Sequence, residues 1–172
     1  ATDADVFRAP AANYLQNRKG AKSISTPGNA NAWETLAKKH GKLPWPQLLA
    51  PAIKLADEGF IISANTAKHI QSEFPAFPHH AKSFYGKNGK PLQAGDRLVQ
   101  KDLARSLRLL AAQGAKAIHG GELGAAIDKE LRRADGFLTL DDLKKNRPEW
   151  WEPVSIDYRG HKVLASPLPN NA

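Results

Sequence analysis

Apolar residues recur at helical spacing along most of the chain, and most densely between Leu43 and Ile62. Leu48, Leu49, Ala52, Ile53 and Ala56 form a stripe there that predicts a core helix. In this reading Pro46 opens a short turn, Pro51 starts the helix where its missing N–H costs least, and Gly59 ends it in a left-handed conformation. Upstream, Ala1 to Thr26 has little periodicity: it reads as extended chain or a short helix near Ala11 to Gln16, followed by an exposed turn at Asn17 to Gly20. A Thr26-Pro27-Gly28-Asn29 loop leads into a helix over Ala30 to Lys39, with Trp33, Leu36 and Ala37 as its buried face and Gly41 as its stop. Ser63 caps a third helix that runs to Glu73, where Pro75 ends it. Phe74 to Gln93, rich in proline and glycine with a Lys87-Asn88-Gly89-Lys90 turn, reads as a surface excursion.

A fourth helix is predicted over Lys101 to Gln113, with Leu103, Leu107, Leu110 and Ala111 on one side and Gly114 at its end. After a short helical turn at Ala115 to His119, a fifth spans Glu122 to Ala134 with Leu123, Ala126, Ile127 and Leu131 inward. Thr139-Leu140-Asp141-Asp142 has the form of a capping box with Asp in place of Glu or Gln, and starts a short sixth helix to Lys145. Beyond Pro148 the period changes to two. Pro153 to Tyr158 and His161 to Ala165 alternate as half-buried strands around an Arg159-Gly160 turn. Two strands alone are marginal in water, so this hairpin is expected to pair with strands outside the stretch. The fold class is mainly α with a C-terminal β-hairpin: one partial domain over 1–172, helical over 1–147 and hairpin over 148–172.

The chain has 172 residues and 41% hydrophobic content, enough for one domain core. It contains no Met, and it stops at Pro169-Asn170-Asn171-Ala172 without a cap or tail, so it is expected to be an excised or processed part of a longer chain. The absence of cysteine excludes disulfide frameworks, thiol nucleophiles and cysteine-ligated metals. No apolar run reaches bilayer-spanning length. The formal net charge is +8, from 25 Lys and Arg against 17 Asp and Glu. The basic residues fall in separate pairs, Arg18-Lys19, Lys38-Lys39, Arg132-Arg133 and Lys144-Lys145, without interleaved aromatics or an RNA- or zinc-binding motif. They read as solvated faces rather than a nucleic-acid site, and their field suits an acidic substrate.

The residues alone assemble no catalytic constellation: there is no Gly-x-Ser-x-Gly elbow, no phosphate loop and no His-Glu-x-x-His. His79-His80 is a loop pair whose side chains point apart, and Asp141-Asp142 is accounted for by helix capping and dipole.

Leu49 to Phe60 (Leu-Ala-Pro-Ala-Ile-Lys-Leu-Ala-Asp-Glu-Gly-Phe), preceded by His40-Gly41-Lys42-Leu43-Pro44, resembles the corresponding run in the large subunit of the γ-glutamyltranspeptidase family. Further matches follow in the family's order: Gly120-Gly121-Glu122-Leu123, Gly136 to Leu143, Asp157-Tyr158-Arg159-Gly160 and Ser166-Pro167-Leu168-Pro169. The resemblance extends from about Arg8 to the end. It implies a helical segment of an αββα N-terminal-nucleophile hydrolase, with the hairpin joining one of its sheets. It further implies a precursor that cuts itself, and a small subunit whose new N-terminal Thr attacks a γ-glutamyl amide with its own α-amino group as base. Thr2, Thr26, Thr35, Thr66 and Thr139 all lie upstream of that cleavage point, so no catalytic residue is expected in this segment, which alone should be inactive.

One substrate-binding residue is implied. An arginine shortly before an Ala-Pro pair contacts the substrate α-carboxylate in the family, and Arg8-Ala9-Pro10 is the counterpart here. Its compact form resembles a divergent branch. Thr26-Pro27-Gly28 resembles a structural Val-Pro-Gly loop; Asn29, Asn31 and the asparagines after Pro169 depart from the family pattern and read as loop residues. The implied partners are the rest of the precursor and a γ-glutamyl small molecule, with no cofactor, no metal, no nucleic acid and no membrane span; the implied location is periplasmic or secreted. A rival within the class is an acylase acting on another amide, such as a β-lactam side chain. A rival outside it is a non-catalytic basic binding module.

Overall fold

A computed structural model describes residues 20–167. The helix expected near Ala11 to Gln16 and the residues after Pro167 lie outside the described residues. The architecture is mostly helical with a few short strands.

Helix α1 (Asn29–His40) starts one residue earlier than its periodicity suggested and ends before Gly41, whose N–H donates to the Ala37 carbonyl at 2.8 Å. Its buried residue is Ala30, and Trp33 and Leu36 are 55% and 51% exposed instead of buried. The helix touches the rest of the chain at the 3₁₀ turn Ala115–Ala117, on the side of Ala30 and Glu34, which leaves the Trp33 side uncovered.

Helix α2 (Trp45–Glu58) corrects two further expectations. Pro46 lies in its first turn, and Pro51 lies inside it, where its ring removes the N–H that would have bonded back to Gln47. The stripe is also narrower than predicted: Ala56 is buried, and Leu49 is buried in a cluster with Ala30, Leu110 and Ala115 against which Ile53 packs, whereas Leu48 and Ala52 are exposed. Gly59 ends the helix as expected, at φ 78°, donating its N–H to the Leu55 carbonyl at 3.0 Å. Strand β1 (Phe60–Ile61) follows at once and pairs antiparallel with β4 (Arg97–Leu98), Phe60 opposite Leu98. Helix α5 (Lys101–Gln113) then lies along α2, the most extensive helix contact among the described residues. The Trp45 indole N–H donates to the Leu110 carbonyl at 2.9 Å and ties the start of α2 to the last turn of α5.

Ser63 caps α3 (Ala64–Glu73), its Oγ accepting the Thr66 N–H at 3.2 Å. The stretch expected as a surface excursion is anchored in the core at its two ends, Phe74 and Leu92, while residues 75–91 between them are exposed or only partly covered. A 3₁₀ turn (Phe74–Ala76), α4 (His79–Tyr85) and a small hairpin, β2 (Gly86–Lys87) with β3 (Lys90–Pro91), place Phe74 and Leu92 in a buried cluster with Ile62, Ala67, Ile70 and Leu98. Asn88 and Gly89, both at positive φ, make the hairpin turn. Proline and glycine break the helices here and keep the middle of the stretch at the surface, and two apolar residues at its ends hold it to the core.

Helices α6 (Glu122–Arg133) and α7 (Leu140–Lys145) enclose a third cluster of Leu131, Leu138 and Leu143. The capping box at Thr139 is present in both directions: the Asp142 N–H donates to Thr139 Oγ1, and the Thr139 N–H donates to Asp142 Oδ2 at 2.9 Å. A six-residue helix has few internal bonds, so the box matters. Thr139→Ala is expected to cost about 1 kcal/mol, seen as a lowered urea midpoint that Thr139→Ser largely restores. An unchanged midpoint would show that packing of Leu143 alone holds α7.

Strands β5 (Val154–Tyr158) and β6 (His161–Ala165) form the expected hairpin, Ile156 opposite Val163, with Arg159 and Gly160 at positive φ in the turn. They are not half-buried. Every residue is exposed except the partly covered Ala165. One face carries Val154, Ile156 and Tyr158 opposite Ala165, Val163 and His161.

Candidate functional site

Arg8, the substrate-binding residue that the sequence suggests, lies outside the described residues. The groove closest to it along the chain lies between Lys22, Ser23 and Thr26 on one wall and Phe137 and Asp142 on the other, with a volume of about 400 Å³. Its charged groups are already engaged. Lys22 Nζ is 2.7 Å from Asp135 and 5.5 Å from the centre of the Phe137 ring. Asp142 is held below its ordinary pKa by the Thr139 hydroxyl and then by the Thr139 backbone N–H. An ionised carboxylate committed to a helix cap is not poised to take a substrate proton. This groove offers no general base among its described lining residues.

The loop that enters α1 is fixed by a contact that the sequence did not disclose. Asn31 Nδ2 donates to Asn146 twice, to its backbone carbonyl at 3.2 Å and its side-chain oxygen at 3.0 Å. Gly28 lies against the same residue; a Cβ there would come within 3.4 Å of Asn146 Nδ2. Asn29 and Asn31 are therefore the first turn of α1 rather than loop residues, and Asn31 joins Thr26-Pro27-Gly28 to the end of α7. The partners are 115 residues apart, so no local signal could have found the pair.

Glu34 makes a second long-range link. Its Oε2 accepts the Ala115 N–H at 2.7 Å, and its Oε1 meets Lys38 at 2.8 Å. Burial pushes this carboxyl's pKa up, but the hydrogen bonds from Lys38 and Ala115 with the charges of Lys38 and Lys116 outweigh it and hold the value below the ordinary one. His119 donates or accepts through Nδ1 with the Leu143 carbonyl at 3.0 Å; the carbonyl can only accept, so the proton is on Nδ1. Its Nε2 is buried with no hydrogen-bond partner among the described residues.

Asp57 on α2 receives both Lys101 (2.7 Å) and Arg108 (2.6 Å) from α5. The hydrogen bonds from Lys101, first, and Arg108 hold its pKa below the ordinary 3.8. A carboxyl depressed on folding stabilises fully above its unfolded value and loses that contribution as the pH falls from 3.8 through the folded value. The stability gap between wild type and Asp57→Asn is accordingly expected to be full well above pH 3.8 and to narrow as the pH falls below it, measured by denaturant titration at each pH. A gap that does not change with pH would exclude Asp57 as the titrating clasp.

The remaining candidates are structural. Thr66 shares a hydrogen bond with Ser63, Thr139 caps α7, and Thr26 and Thr35 lie in the loop and in α1. His79 and His80 begin α4, and no group of three or more His, Asp or Glu among the described residues could hold a metal ion. Asp141 pairs with Lys144 at 3.6 Å. Several basic residues are spent in ion pairs: Lys101 and Arg108 with Asp57, Arg132 with Asp128, Arg133 with Glu130. No described helix is long and apolar enough to cross a membrane.

The family model described as Gamma-glutamyltranspeptidase matches residues 1–172. The chain is 36% identical over 169 residues to the glutathione hydrolase-like YwrD proenzyme of Bacillus subtilis, covering 97% of this chain and 32% of that protein. It is also 36% identical over 160 residues to the acylase ACY 1 proenzyme of a Pseudomonas species, covering 91% of this chain and 28% of the relative. The crystal structure of γ-glutamyltranspeptidase from Helicobacter pylori superimposes with a TM-score of 0.82 at 34% identity, over 89% of this chain and 45% of the other. The chain thus spans about a third of the curated relatives it matches. With its motifs in the family's order, its helical fold in register with a solved member and the family model matched from end to end, this chain belongs to the γ-glutamyltranspeptidase family.

Proposed function

We propose that this chain is a large-subunit segment of an N-terminal-nucleophile enzyme that hydrolyses or transfers γ-glutamyl groups from glutathione-like amides. The match to the family along the whole chain carries the reading, supported by relatives named as glutathione hydrolase proenzymes. In this reading the hydroxyl of a Thr at the start of the small subunit attacks the γ-carbonyl, and its α-amino group takes the proton and passes it to the departing amine. Water or an acceptor amine then cleaves the acyl ester. The segment supplies the helical layer, its β5–β6 hairpin adds to a sheet of the αββα sandwich, and Arg8 grips the substrate α-carboxylate. No cofactor takes part, and the enzyme works outside the cytoplasm. The segment by itself is inactive.

A second reading is favoured by the compact Arg8-Ala9-Pro10 and by the 36% identity to an acylase proenzyme: cleavage of an amide whose acyl group is not γ-glutamyl. The full-length precursor separates the two. Intact mass under denaturing conditions is expected to give two species in equal amounts, the smaller beginning with Thr, together with release of aniline from a γ-glutamyl anilide. Processing with activity only on a matched acyl anilide lacking the α-carboxylate would establish the acylase. An unprocessed, inactive precursor would overturn both.

A further inference from the structure

The exposed tip of the β2–β3 hairpin carries the pair Asn88-Gly89, at φ 53° and 75°. When glycine follows asparagine, the backbone nitrogen is least hindered from reacting with the side-chain amide, because glycine has no Cβ to shield it. Nothing else shields it here. Apart from its chain neighbours, no heavy atom lies within 4 Å of where a Gly89 Cβ would stand. Neither the Asn88 side chain nor the Gly89 N–H has a hydrogen-bond partner among the described residues. The hairpin is also weakly held. Each strand has two residues, Pro91 lacks the N–H that would complete its pair with Gly86, and Lys87 faces Lys90 with like charge. Below the tip, Leu92 is buried and donates its N–H to the Tyr85 carbonyl at 2.9 Å, so the turn can open and rotate at Asn88 while the core stays closed. The other described asparagines lack this freedom. The N–H after Asn65 is engaged by Ser63 Oγ at 3.2 Å, and the one after Asn31 by the Gly28 carbonyl at 3.1 Å. Asn146 is fastened to Asn31, and Asn29 precedes the buried Ala30.

We propose that Asn88 is a self-modifying site that deamidates in the folded protein through a succinimide. The Gly89 nitrogen gives its proton to hydroxide or a buffer base and attacks Asn88 Cγ. The N–Cγ bond forms, the Cγ–Nδ2 bond breaks, and Nδ2 leaves as ammonia with a proton from the medium. Lys87 and Lys90 flank the pair, and their positive charge favours the anionic nitrogen and the oxyanion that follows it. Water then opens the ring at Cγ, giving aspartate, or at the Asn88 backbone carbonyl carbon, giving isoaspartate. Either product sets a carboxylate beside two lysines and lowers the formal net charge by one from +8. The aspartate form keeps the turn, because Asp-Gly suits the same conformation as Asn-Gly. The isoaspartate form adds a methylene to the backbone, and the two-residue turn no longer closes.

The test uses the full-length protein, held at mildly alkaline pH in heavy-oxygen water, one sample native and one in denaturing guanidinium. Peptides are mapped by mass spectrometry over time. The Asn88 peptide is expected to gain the mass that separates Asp from Asn, with one heavy oxygen, and to resolve into aspartate and isoaspartate forms. Folding should slow this conversion by less than about tenfold, whereas Asn31 and Asn65 should slow by more than that, because their N–H partners are lost only when a helix opens. Protection of Asn88 beyond tenfold would overturn the proposal, since the turn would then be closed to the reaction. Conversion to aspartate without any isoaspartate would overturn it too, because direct hydrolysis of the side chain never passes through the ring.

Discussion

Gly59→Ala is expected to destabilise the chain by about 3 kcal/mol or more. At φ 78° and ψ 167°, Gly59 occupies a backbone region that is essentially closed to other residues, which by itself costs about 1–3 kcal/mol. Space is the second obstacle. The new Cβ would lie 2.5 Å from Val99 Cγ2 and 2.7 Å from the Leu98 carbonyl oxygen. The Val99 side chain is partly exposed and can swing away, but the Leu98 carbonyl belongs to β4, whose pairing with Phe60 and burial of Leu98 hold it in place. Moving it opens the cluster around Ile62. The measurement is the free energy of denaturant unfolding together with soluble yield. Gly89→Ala is the comparison: it has similar φ, 75°, and open space around it, so it carries only the conformational cost of about 1–2 kcal/mol. Equal effects at the two positions would refute the close-approach argument.

Under the proposed function, Arg8→Ala is expected to have the second large effect, and to have it on activity. A guanidinium that grips a carboxylate through two charge-assisted bonds contributes about 2–3 kcal/mol. Its loss in the full-length enzyme is expected to lower kcat/KM for a γ-glutamyl anilide by about 30- to 150-fold, mostly through KM. Arg8→Lys keeps the charge without the fork and should fall between. An acyl anilide without the α-carboxylate should be indifferent to either change. If every substrate is indifferent, Arg8 has no place in the site.

The features legible in the sequence were those fixed by a few neighbouring residues. Ser63 and Thr139 announce their helices because a cap needs only a hydroxyl and an N–H three residues on. Gly59 and Gly114 end theirs because positive φ excludes side chains. Burial was legible only in part. The stripe of α2 is real, but which of Leu48 and Leu49 turns inward depends on where α5 lies, and the periodicity of α1 says nothing about which side meets a partner. The stretch from Phe74 to Gln93 was legible as surface chain in its middle but not at its ends, because proline and glycine report broken helices, whereas the burial of Phe74 and Leu92 depends on packing against Ile62, Ile70 and Leu98. Of the candidate site, Arg8 came through family resemblance, whereas Asn31 with Asn146 and Glu34 with Ala115 join residues too distant for any pattern to connect.

Three separate buried clusters among the described residues, rather than one, have a consequence for how the segment comes apart. Ile62, Ile70, Phe74 and Leu92 share a unit that reaches the α2–α5 pair through the short β1–β4 bridge, while Leu131, Leu138 and Leu143 reach it through Ile118. Cooperativity passes through narrow junctions of this kind weakly, so each unit can open while the others stay closed. Native-state hydrogen exchange would then sort the amides into three groups with their own opening free energies, and a protease would find its first cleavage site at a junction instead of at a loop tip.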